Sequence, residues 1–253
     1  MTANKPEKVY FFNDTNLIGC VKRDPTLIKN IRQKFYDISK YIVSDELNVI
    51  DYESCLAGLR SRLKCQKLNY DHVICVGEKG EALFNDISDV IEYDNLKRIS
   101  IKRAFIDDTL HCLDWEFNLQ GSDHEFLASL ENQRVLFIDD VVYSGSTIAF
   151  LIEKTVGESH VSPVIVTLIS TETAESKLGS VISGITVPGG TWPIYPQDLW
   201  CFRDLIEKDG VVCASGKSKR FIDYECIMKK WLFGNDFEKV RSSIDEISGW
   251  INS

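Results

Sequence analysis

Apolar positions recur along this chain with two periods, one helical and one extended, and the two alternate. Lys8 to Phe12 is a short β-prone segment closed by Asn13-Asp14. Asp24-Pro25 supplies a helix N-cap and a first-turn proline. Behind it Ile28, Ile31, Phe35, Ile38 and Ile42 keep helical spacing, which predicts a helix over about 25–43. A second helix fits Tyr52, Leu56, Leu59 and Leu63, with Arg60, Arg62 and Lys64 on a solvated face. His72 to Val76 reads as a strand that runs through Gly77-Glu78-Lys79-Gly80-Glu81 into a helix carrying Leu83, Phe84, Ile87, Val90 and Ile91. Arg98 to Phe105 alternates polar and apolar residues as a sheet strand does. Val135 to Ile138 and Val164 to Ile169 are apolar almost throughout, the pattern of strands covered on both faces. Between them Ile148, Leu151 and Ile152 mark another helix.

This alternation predicts an α/β fold with a Rossmann-like, mainly parallel sheet. The rhythm breaks in two places. From Ile106 to Asn132 the periodicity weakens, as in a lid or loop. From Gly184 to Pro196 the chain is rich in Gly, Pro and aromatics. Beyond that, Leu199, Phe202, Leu205 and Ile206 fit a helix, and Val211 to Ala214 fit an edge strand. Ser215 to Arg220 reads as a solvated basic turn. Two closing helices are expected, one with Ile227, Trp231 and Leu232, the other with Phe237, Val240, Ile244, Ile247 and Ile251. The expected organisation is an N-terminal strand and helix (1–50), a core (51–183) and a C-terminal segment (184–253).

Composition narrows the class. An apolar share of 44% and a charged share of 26% are ordinary for a globular protein. A net charge of −9 argues against broad attraction to nucleic acid. No apolar run is long enough to span a bilayer, and Met1 to Lys8 lacks a signal-peptide core. The eight cysteines include no Cys-x-x-Cys pair and accompany four histidines, so reduced cytoplasmic thiols are expected rather than zinc.

The candidate chemistry is concentrated at Val135–Thr147. Asp139 and Asp140 follow the apolar strand, where burying two carboxylates is costly unless something polar or cationic meets them. The turn Tyr143-Ser144-Gly145-Ser146-Thr147 then enters a helix, presenting free N–H groups and the positive end of the macrodipole, which suits a phosphate. Gly77 to Glu81 makes a second strand-to-helix turn, with Lys79 as a point charge. In parallel sheets, ligands gather beyond the carboxyl ends of the strands, where both turns fall.

Apolar strand, two acids, two apolar residues, then Ser-Gly-x-Thr: this segment resembles the phosphoribosyl-pyrophosphate (PRPP) loop of the type I phosphoribosyltransferases. The resemblance spans roughly Val73 to Ile169. It implies a phosphoribosyltransferase core with a C-terminal hood that selects the acceptor. It further implies Mg²⁺-dependent transfer of the 5-phosphoribosyl group from PRPP to a small base-like acceptor, with release of pyrophosphate, in nucleotide metabolism. Asp139 and Asp140 would be catalytic, holding the ribose hydroxyls directly or through Mg²⁺ and water. Tyr143, Ser144, Gly145, Ser146 and Thr147 would hold the 5′-phosphate. Lys79 and Gly80 stand where the family's pyrophosphate loop carries a basic residue and a glycine, and Glu81 replaces its frequent second glycine. Lys102 and Arg103 lie near a strand end where the family often keeps a basic residue for pyrophosphate, although a solvent-facing basic pair is an equal alternative. The segment 106–132, with Asp107, Asp108 and His111, would be the flexible catalytic loop. Trp192, with Tyr195 and Trp200 behind it, would stack on the acceptor, unless these rings only pack the segment. Tyr143 stands where 6-oxopurine enzymes usually carry Asp, and the uracil-phosphoribosyltransferase-related regulators also carry Tyr there. The alternative is a PRPP-binding regulator or stress/defence effector with this fold and no transfer step. Assembly as a homodimer or larger oligomer is left open.

Overall fold

A computed structural model of the chain describes residues 8–13, 25–43, 46–66, 69–105, 115–155, 162–189, 192–194 and 233–252. In chain order the strands are β1 (Lys8–Asn13), β2 (Glu46–Asp51), β3 (Asn69–Val76), β4 (Glu92–Ile99), β5 (Lys102–Phe105), β6 (Trp115–Asn118), β7 (Val135–Val142), β8 (Val164–Thr171), β9 (Val181–Val187) and β10 (Trp192–Ile194). The helices are α1 (Pro25–Ser39), α2 (Tyr52–Gln66), α3 (Gly77–Ile87), α4 (Gly121–Ala128), α5 (Ser146–Thr155), α6 (Glu172–Leu178) and α7 (Phe237–Asn252). The chain divides into two compact units, Met1–Tyr52 with Thr191–Ser253, and Glu53–Gly190.

In the first unit β1 lies between β10 and β2, parallel to both. Helix α1 packs on α7. Their apolar stripes, Ile31, Phe35 and Ile38 against Val240, Ile244 and Ile247, are buried as the helical spacing predicts. A Lys34–Glu246 ion pair flanks the stripe.

The second unit is an α/β layer structure on a five-stranded parallel sheet in the order β4-β3-β7-β8-β9. Numbered within the sheet, this is order 2-1-3-4-5, whose topological switch point lies between β3 and β7. Strand β7 is the centre because it is buried along nearly its whole length. Ile74, Phe137 and Ile165 face one way and pack with Leu127, Ile148, Leu151 and Ala174. The alternate residues Val73, Cys75, Leu136, Ile138 and Val166 are also buried, so both faces are covered. Arg134 clamps the entry to the sheet: its backbone N–H and its guanidinium each lie 2.7 Å from the Asp71 carboxylate. That clamp accompanies a register pairing Cys75 with Ile138, which ends β3 beside the point where β7 reaches Asp139 and Asp140.

The mainly parallel sheet is the expected one, with local corrections. The strand expected at 98–105 is two strands. Glu92–Ile99 joins the core sheet as its edge, with most side chains in water, which removes the apolar pattern that would mark it. Lys102–Phe105 instead pairs antiparallel with β6. Within the described part of the expected loop, residues 115–132, lie β6 and α4. Phe117 stacks on Phe150 of α5, with centroids 5.2 Å apart. In α4 the buried Asp123 meets Lys97 at 3.1 Å. Helix α1 ends at Ser39 rather than near 43, and Val90 lies in a 3-10 turn after α3. Gly184 to Val187 belong to β9, where the helix–strand rhythm was expected to have ended. Asp107, Asp108, His111, Trp200, and the segments 199–206, 211–214, 215–220 and 227–232 lie outside the described residues.

The last two core strands are tied to α6 by one carboxylate. Glu175 Oε1 accepts hydrogen bonds from the hydroxyls of Ser170, Ser183 (3.1 Å) and Thr186 (2.6 Å). Desolvation pushes its pKa up, but the three hydroxyls, with Arg62 nearby, outweigh this and hold the carboxyl below its ordinary 4.5. A depressed folded pKa stabilises the fold above the unfolded value and stops doing so as pH falls through the folded one. Glu175→Gln is therefore expected to lower the urea midpoint at pH 7. The difference from wild type should shrink as both proteins are unfolded at successively lower pH below about 4.5.

Candidate functional site

The site is built where β3 ends beside the middle of β7. At the end of β3, Gly77 adopts φ +68° and turns the chain directly into α3. Gly80, one turn into that helix, is pressed onto the neighbouring strand. A Cβ there would lie 2.4 Å from the Ile138 carbonyl oxygen, closer than any side chain tolerates. With no side chain in the way, the first turn of α3 approaches β7 just before its two acids. Lys79 is consequently delivered with its Nζ 3.8 Å from Asp140 Oδ2. The Lys79 and Asp140 predicted from separate stretches of sequence are thus neighbours.

Strand β7 does not stop at Ile138 but continues through both acids to Val142. Asp139 and Asp140 are 6% and 8% exposed, so both carboxylates are held inside the mouth of the sheet. Asp139 Oδ1 accepts the Asp140 backbone N–H at 3.0 Å. The Thr167 hydroxyl on β8 reaches two carbonyls, 3.0 Å from Asp140 O and 2.9 Å from Ile169 O. These contacts fix the backbone from which the acids project. As chemistry, the pair offers hard oxygen donors. Among the described residues no group of three or more His, Cys, Asp or Glu gathers to hold a metal. A cation that keeps most of its shell for ligand and water oxygens, as Mg²⁺ does, fits such a donor set, and a closed protein cage does not.

The turn after β7 is tight and hydroxyl-lined. Gly145 takes φ +70°, and its carbonyl accepts the Ala149 N–H at 2.8 Å, starting α5. Ser144 Oγ lies 3.1 Å from Ser146 Oγ and accepts the Ser146 N–H at 3.3 Å. Thr147 is half-buried in the first turn of α5. The Tyr143 carbonyl accepts the Thr171 hydroxyl at 2.6 Å, and burial pushes the Tyr143 phenol above its ordinary value. A hydroxyl-lined turn at a helix N-terminus, beside two carboxylates and a lysine, can hold a phosphorylated polyol by both ends.

The remaining candidates are placed differently. Arg103 lies in β5, paired antiparallel with β6, and not in a strand of the core sheet. The core strand next to β3 ends with Arg98-Ile99, and Arg98 forms a 2.8 Å ion pair with Glu81. Glu81, the departure from the family's pyrophosphate loop, therefore has a cationic partner. Trp192 lies in β10 of the other unit, and Tyr195 lies outside the described residues. Sequence reasoning missed Arg98, Thr167, Thr171 and Lys177. Arg98 was hidden by the misplaced strand. Thr171 had a readable signal: a threonine ahead of Glu172 and Glu175 marks a helix start, and its side chain caps α6 through the Ala174 N–H.

Five parallel strands, with both loops on their carboxyl side and astride the switch point, form the mainly parallel α/β sheet expected from the sequence. No protein-family model and no curated protein sequence matches the chain. Solved structures do align with it. A hypothetical protein from Neisseria gonorrhoeae with bound ppGpp is 20% identical over 58% of this chain and 84% of its own, with a TM-score of 0.42. A purine phosphoribosyltransferase from Pyrococcus horikoshii is 18% identical over 57% and 87%, at 0.37. A hypoxanthine phosphoribosyltransferase from Staphylococcus aureus is 17% identical over 54% and 74%, at 0.38. No helix among the described residues is long and apolar enough to cross a membrane.

Gly80→Ala is expected to force α3 away from β7 and to destabilise the protein by about 1–3 kcal/mol, the usual cost of overpacking. The urea midpoint reports it. An unchanged midpoint would show that the helix can shift freely here.

Proposed function

We propose that the chain is a phosphoribosyltransferase, transferring the 5-phosphoribosyl group from PRPP to a nitrogenous, base-like acceptor with release of pyrophosphate. The observation that carries this reading is Lys79 set 3.8 Å from Asp140 across the switch point, with the hydroxyl-lined turn following directly on β7. The site thereby offers a cation for a leaving pyrophosphate, two acids for a ribose and a cradle for a 5′-phosphate, in the order in which PRPP presents them.

In this reading the bond from the anomeric carbon to pyrophosphate breaks as a nitrogen of the acceptor forms its bond to that carbon, and the nitrogen's proton leaves to solvent. Asp139 and Asp140 orient the ribose hydroxyls and lie close to the positive charge that develops on the ring. The Ser144–Thr147 N–H and hydroxyl groups fix the phosphate end, so that the sugar cannot turn in the site. Lys79 neutralises the departing pyrophosphate, and Arg98, rather than Arg103, ends the core strand beside it. Asp139 and Asp140 would hold Mg²⁺, directly or through water, and the ion would supply further positive charge for the pyrophosphate. Trp192 and Tyr195 remain the acceptor-side candidates by resemblance alone. A cytoplasmic site of action belongs to the same proposal.

The Glu81–Arg98 pair favours a second reading, a PRPP-binding regulator or effector without transfer. Glu81 engages Arg98, and Lys79 is itself paired with Asp140. Pyrophosphate release from PRPP and Mg²⁺ across a panel of bases tests both. The enzyme reading expects release with at least one base, reduced about 100-fold or more in Asp139→Asn/Asp140→Asn, the scale on which removing one transition-state contact acts. Binding of PRPP without release would support the regulator. No binding at all would contradict both.

A further inference from the structure

The turn assigned to the 5′-phosphate contains no cationic side chain between Tyr143 and Thr147. A phosphate monoester carries about −1.5 to −2 charges near neutral pH, whereas a helix N-terminus supplies only about half a positive charge. Helix α6 closes on this turn at both of its ends. Where it starts, the Thr171 hydroxyl holds the Tyr143 carbonyl at 2.6 Å. Where it finishes, the Leu178 side chain lies 3.1 Å from where a Gly145 Cβ would stand. Lys177 lies between these two anchors and donates from Nζ to Ser146 Oγ at 3.2 Å. Ser146 Oγ is in turn 3.1 Å from Ser144 Oγ. The ammonium therefore joins the same pair of hydroxyls that a phosphate in this turn would meet. It does so from a helix whose position is set by the Glu175 cluster on β8 and β9.

We infer that Lys177 is a binding residue for the donor's 5′-phosphate, supplying from α6 the charge that the turn itself lacks. The inference rests on the phosphoribosyl-donor reading of this turn. An ammonium has three donors, so it can bond a phosphate oxygen while keeping Ser146. The two cations then divide the donor between them, Lys177 at the phosphate end and Lys79 at the pyrophosphate end. An exposed lysine merely resting on a serine would make no such distinction between ligands.

Calorimetric titration of the full chain with ribose 5-phosphate and, separately, with pyrophosphate and Mg²⁺ tests this. Lys177→Gln is expected to weaken ribose 5-phosphate about tenfold or more, the scale of a lost hydrogen bond between charged groups. Pyrophosphate affinity should hold, and Lys177→Arg should recover part of the loss. Lys79→Gln should show the reverse selectivity. Wild-type binding of ribose 5-phosphate that Lys177→Gln leaves unchanged would overturn the inference and leave the functional reading standing. Equal loss of both ligands, with a lowered thermal midpoint, would also overturn it, by making Lys177 a brace for α6. Failure of the wild type to bind ribose 5-phosphate or PRPP would remove the functional reading, and the inference with it.

Discussion

At Gly80 the space between α3 and β7 admits no side chain, and the site depends on that constraint. Gly80 meets the Ile138 carbonyl so closely that even a methyl group would collide. The first turn of α3 is therefore seated against the central strand just before its two acids, with Lys79 on one side of the contact and Asp140 on the other. The register between β3 and β7, with the Asp71–Arg134 clamp at its opposite end, ends β3 beside the two acids of β7. A parallel sheet places its loops on one edge as a matter of topology; the glycine contact converts a shared edge into a shared site.

A second constraint acts from the other side. Helix α6 is short, yet it is bonded at its start to the Tyr143 carbonyl, packed at its end against Gly145, and held in the middle by Glu175 among three hydroxyls. Polar groups buried in this way stabilise only when all are satisfied, and here each hydroxyl of the cluster meets the same carboxylate. The hydroxyl-lined turn is thus braced by a neighbouring helix rather than left as a surface loop. Preorganisation of that kind lowers the ordering cost of binding a ligand with several charged groups.

Much of the core was legible in the sequence because its strands are buried on both faces and its helices on one. Val135 to Ile138 and Val164 to Ile169 announced themselves by composition, and α1 and α7 by spacing. β4 was not legible, since an edge strand made of Glu92, Asp94, Lys97 and Arg98 satisfies its sheet through backbone bonds and shows water its side chains. That one error displaced the strand end from Arg98 to Arg103. The acids and the turn at 139–147 were legible because order as well as composition carried the signal. Lys177 was not, because a lysine late in a short helix looks like any solvated residue until the fold brings it to Ser146.

The central claim is that the turns after β3 and β7 hold one ligand between them. Hydrogen exchange followed by mass spectrometry, with and without PRPP and Mg²⁺, addresses it most directly, because it reads both turns in one sample. The account predicts that residues 76–84 and 139–150 gain protection together, at the same ligand concentration, while the α2 segment 53–66 is unchanged. Protection confined to one turn, or appearing at the two turns over separate concentration ranges, would contradict it.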